Sequence, residues 1–90
     1  MTTNLTFTKV NNEWVSTFTS QGACVIELER DVQSPVSVSA NIDGMRPIPI
    51  ASFSNPYVDS VIFSLDIMQG IEVTIKSANE VINAKMQTND

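Results

Sequence analysis

A chain of 90 residues with a formal net charge of −5 and no histidine has room for one core and excludes mechanisms that turn on an imidazole. Its five cations, Lys9, Arg30, Arg46, Lys76 and Lys85, form no basic run, which speaks against nucleic acid and anionic membrane surfaces as partners. Apolar residues make up 42% and charged residues 17%, the latter below the ~25% usual in soluble domains. Ser, Thr and Asn take the place of the missing charge, as they do on β surfaces and in proteins packed against neighbours.

Residues 5–10 alternate Leu5 and Phe7 with Thr6 and Thr8, which predicts a first strand. Asn11-Asn12 suits the positive-φ positions of a two-residue turn, and residues 13–19 return as a second strand with Trp14, Ser16 and Phe18 on one face. Gln21-Gly22 is the next turn signal. It leads into a third strand, 23–30, whose Cys24-Val25-Ile26 stretch reads as covered on both faces. A connection at 31–34 precedes the clearest alternation in the chain, Val36, Val38, Ala40 and Ile42 against Ser37, Ser39 and Asn41.

Asp43-Gly44 is the strongest hairpin signal. The segment 45–51 that follows is extended but carries Pro47 and Pro49, so it belongs at a sheet edge. Residues 52–56 read as the longest loop. Val61, Phe63, Leu65 and Ile67 form the inward face of a sixth strand. Gln69-Gly70 then turns into Ile71, Val73 and Ile75, alternating with polar residues. Residues 80–86 fit a last strand or a short helix, and 87–90 form a polar tail.

About eight short strands at regular spacing predict an all-β fold: a small single-domain antiparallel β-sandwich of jelly-roll or Ig-like type, spanning 1–90. The turn signals place short hairpins on most connections and leave 31–34 and 52–59 as crossings between sheets. No helix of membrane-spanning length and no signal peptide is predicted, so the chain is expected to be made in the cytoplasm.

Chemistry has few candidates. The lone Cys24 has no disulfide partner and reads as a small buried hydrophobe. Glu27, Glu29 and Asp31 share a face, where a hard cation would find oxygen ligands, although a solvated row is the plainer reading. Carboxylate catalysis needs two such groups facing across a cleft, and a sandwich of 90 residues rarely builds a deep one, so no enzymatic activity and no cofactor or metal is expected. Trp14 beside its turn suits either a sugar platform or a cap on the core. Tyr57, after Asn55-Pro56, suits an exposed contact. Arg46, Ile48 and Ile50 share a face of the proline-bearing segment, as a contact stripe or as core.

The stretches 34–44 and 70–79, with their Ser/Thr/Asn-rich strands, resemble small β-sandwich virion proteins of tailed bacteriophages. That resemblance implies a capsid-decoration, head-associated or fibre-associated structural protein, present in many copies and located in the virion. Its partners would be itself, as a homo-oligomer or lattice subunit, or another virion protein. A carbohydrate- or protein-binding module of adhesin or lectin type is the alternative, and an accessory subunit of an enzyme is a third.

Overall fold

The computed structural model describes residues 1–30, 35–53 and 60–88. Nine strands occur among them: β1 Thr2–Asn4, β2 Thr8–Val10, β3 Glu13–Thr19, β4 Cys24–Arg30, β5 Val36–Asn41, β6 Ile48–Phe53, β7 Ser60–Leu65, β8 Glu72–Ser77 and β9 Val81–Thr88. They form two antiparallel sheets, one ordered β1-β9-β4-β7 and the other β2-β3-β8-β5-β6. Of residues 80–86, all but Glu80 thus form strand, and β9 runs on through Gln87 and Thr88. Those two residues belong to the sheet, whereas a polar tail was expected from 87 onward. Residues 89–90 lie outside the described residues.

The pairings nest. β5 pairs with β6, β4 with β7, β3 with β8 and β1 with β9, so the chain is a long hairpin folded at its middle. Two further ladders, β4 with β9 and β5 with β8, roll that hairpin into two facing sheets. This is the jelly-roll arrangement of the β-sandwich, one of the two topologies expected. An immunoglobulin order would pair more sequence neighbours than β2/β3 and β5/β6.

Alternation fills the space between the sheets. Ile26, Leu28, Val73 and Ile75 are fully buried, with Val36, Val38, Phe63, Leu65, Ala84 and Met86 around them. Burying a side chain of this size contributes about 1.5–3 kcal/mol. Val61 and Ile67, expected on the inward face of the sixth strand, are half-buried against the same cluster.

Four expectations need correction. Residues 5–10 are not one strand: β1 lies in the first sheet and β2 in the second. The chain changes sheets at residues 5–7, where Leu5 and Phe7 both pack against the core. Short hairpins do not occupy most connections either. Asn11 (φ 51°) and Asn12 (φ 68°) do close a two-residue hairpin, with Val10 opposite Glu13. Gly44 sits in the turn that joins β5 to β6, where the Met45 N–H donates to the Ile42 carbonyl at 2.9 Å.

The turns at Gly22 and Gly70, however, carry the chain across to the opposite sheet. They clasp each other instead: the Ser20 N–H donates to the Ile71 carbonyl at 2.7 Å, and the Gly70 N–H donates to the Ser20 carbonyl at 2.9 Å. A buried serine shapes this crossing, its hydroxyl accepting from the Gly22 N–H at 3.1 Å. Buried Ser77 repeats the device between β8 and β9, where its hydroxyl donates to the Asn79 carbonyl at 2.8 Å. Such hydroxyl bonds two residues along offer the backbone a turn in place of a ladder. The strands flanking 31–34 and 54–59 do lie in opposite sheets, as expected, and those segments are outside the described residues. Ser52 and Phe53, expected in the second crossing, belong to β6.

The third correction concerns β4, which is covered on one face only. Cys24, Ile26, Leu28 and Arg30 point inward, while Val25, Glu27 and Glu29 point out. Arg30, at the end of that inward row, is buried. The fourth concerns the face shared by Ile48 and Ile50. A bulge sets Val38 opposite Ala51 and Ser39 opposite Pro49, which leaves Ile50 with no opposite residue. Ile48 stays in the inward row across from Ala40, and the regular alternation on which a shared face rested is broken between the two isoleucines.

Candidate contact surface

The edges and outer faces remain as places for function. The outer face of the five-stranded sheet is polar. Thr17, Thr74 and Ser39 form one row, and Thr19, Glu72 and Asn41 form the next. Asn41 ties the two rows together, its Nδ2 donating to Glu72 Oε1 at 3.0 Å and to Thr74 Oγ1 at 2.7 Å. The outer face of the four-stranded sheet mixes polar and apolar groups. One row runs Thr2, Gln87, Val25, Ser64 and the next runs Asn4, Lys85, Glu27, Ile62.

Glu27 stands opposite Lys85 in that second row, and Glu29 opposite Asn83. The acidic row is therefore shared with a cation and an amide. Asp31, its third expected member, lies outside the described residues. Among the described residues no three His, Cys, Asp or Glu side chains come together as a metal-holding group. Burial pushes the Cys24 thiol pKa above its ordinary value. A buried thiol of this kind serves packing better than nucleophilic attack.

Trp14 is half-buried on the inward row of β3, opposite Lys9 and Ser77. Tyr57 lies outside the described residues. Arg46, Ile48 and Ile50 are exposed, and so are Ile42 and Met45, all on or beside the β5–β6 hairpin. The hairpin therefore carries four exposed apolar side chains within nine residues of chain, with Met45 at 60%. The structure gathers these three expected residues on one hairpin and sets Trp14 apart.

Expectation passed over several exposed apolar residues. Ile62 is 67% exposed and Val25 43%. Parity signals both, since each falls between inward-facing neighbours. Ile82 is exposed because a bulge between Glu29 and Arg30 skips it, as the other bulge skips Ile50. Only the three-dimensional pairing reveals that feature.

The sheet edges differ in their protection. β1 and β2 have three residues each, and β6 carries Pro49 and a bulge. These are the usual devices against uncontrolled strand addition. β7 has six residues, no proline, no bulge and no charge. Among the described residues no helix is long and apolar enough to cross a membrane. Set against protein-family models, curated proteins and solved structures, the chain has no match.

Proposed function

We propose that this chain is a non-enzymatic structural protein of a tailed-bacteriophage particle, a capsid-decoration or head-associated subunit that acts through protein–protein contacts. The observation that carries the reading is the β5–β6 hairpin, which exposes the apolar side chains of Ile42, Met45, Ile48 and Ile50 and, between them in sequence, Arg46. Four exposed apolar side chains within nine residues of chain support a surface that is covered in use. An arginine among them adds a donor fork of the kind enriched at interfaces. The jelly roll recurs in viral capsid proteins, which supports the reading by analogy of fold. Trp14, on the inward row, favours this reading over a sugar-stacking platform.

The test has two parts. Capsid and portal genes beside the coding gene are expected, with the protein present in purified particles by mass spectrometry. Met45→Asp and Ile50→Asp are then expected to weaken particle binding by about tenfold or more, some 1.4 kcal/mol, while the urea midpoint is kept. Particles that lack the protein, or that bind the variants as well as the parent, would overturn the proposal.

A further inference from the structure

We propose that β7 pairs antiparallel with β7 of a second copy, so that the four-stranded sheet continues across a twofold axis into an eight-stranded one. β7 ends the order β1-β9-β4-β7, and no strand among the described residues lies on its far side. Among the described residues it is an edge strand of full length with no proline, no bulge and no charged side chain.

The occupant follows from the sequence of the strand. A twofold axis through Ile62 sets residue 62 against itself, 61 against 63 and 60 against 64. Ser60-Val61-Ile62-Phe63-Ser64 reads the same in both directions by residue class: hydroxyl, apolar, isoleucine, apolar, hydroxyl. Position 60 then stands opposite position 64, and on the inward face each Val61 meets a Phe63, a favourable β-branched and aromatic pair.

Charge points the same way. Two identical strands about an axis bring any central charge close to its own copy, and β7 has none, although the chain carries −5 overall. The nearest acidic group in the Ile62 row, Glu27, is followed by Lys85. Ile62 at 67% exposure would exchange water for its own counterpart, with Val25 at 43% beside it on β4. An isologous contact of this type closes with two subunits. The inference deepens the contact-protein reading by naming one partner, a second copy. Its test reads self-association alone, so it succeeds or fails apart from any capsid protein.

Sedimentation of the full chain at micromolar to high-micromolar concentration tests the pairing. A monomer–dimer equilibrium is expected, strengthened by added salt as the net charges are screened. Ile62→Lys, at an exposed position, should keep the unfolding midpoint and raise the dimer dissociation constant at least about tenfold. Ile62→Cys should form a disulfide-linked dimer on mild oxidation, and Ile82→Cys, equally on the surface, should not. A monomer at every concentration would overturn the inference. So would a dimer indifferent to Ile62→Lys, or crosslinking through Ile82→Cys as readily as through Ile62→Cys.

Discussion

At position 24 a thiol faces the core from the first residue of β4, and burial holds its pKa above the ordinary 9.0. The sign of the linkage follows directly. Below the ordinary value both folded and unfolded chains keep the proton, and the thiol adds no pH dependence. As pH rises beyond it, the unfolded chain releases the proton while the folded chain retains it, and stability falls until the raised value is passed. The slope is at most about 1.4 kcal/mol per pH unit. Urea unfolding between pH 8 and 11 should therefore show a decline in the parent that is absent from Cys24→Ala. A parallel decline in both would assign the effect to other groups. Alkylation of Cys24 in the native protein should be correspondingly slow.

At the scale of the element, β6 shows how an edge is closed. Pro49 removes one donor from the edge strand, and the bulge at Ile50 interrupts the regular ladder. Pro49→Val restores the missing N–H beside exposed Ile48 and Ile50. Self-association of the variant should rise, read as light scattering at constant protein concentration, while the monomer's unfolding midpoint shifts little. An unchanged scattering profile would show that the bulge alone protects the edge. The edge position of this segment was legible in the sequence, because proline has a fixed chemical consequence for a ladder. The bulge was not legible, because the alternation of 47–50 is regular and only the register against Ser39 breaks it. The inward rows of β5, β7 and β8 were likewise legible by parity. Parity also places Arg30 inward with Cys24, Ile26 and Leu28, and exposes Val25 and Ile62. What parity cannot tell is the sheet to which a strand goes. Gly22 and Gly70 set a local backbone angle, whereas the destination of each strand depends on distant bonds such as that between Ser20 and Ile71. Arg46, Ile48 and Ile50 were singled out from the sequence as a contact stripe or as core, and Ile42 and Met45 join them only through their exposure.

For the whole molecule, the nested ladders place most pairings far apart along the chain, with Thr2 opposite Gln87 at the outermost. Loop-closure entropy must be met before such contacts return any stability. Refolding followed by the single tryptophan, half-buried Trp14, should therefore occur on a timescale of about milliseconds to seconds. A microsecond phase accounting for the full amplitude would contradict the nested order. The closed roll has one more consequence. Met1 and Thr88 exchange backbone hydrogen bonds, each 2.9 Å long, so the two extremities of the ribbon meet. A circular permutant linked there and opened at Gly44 would retain every ladder. It would make β1 and β9 near neighbours in sequence and turn the present central hairpin into the most distant pairing. The same architecture would then assemble from the opposite end, with its closing step at the β5–β6 ladder.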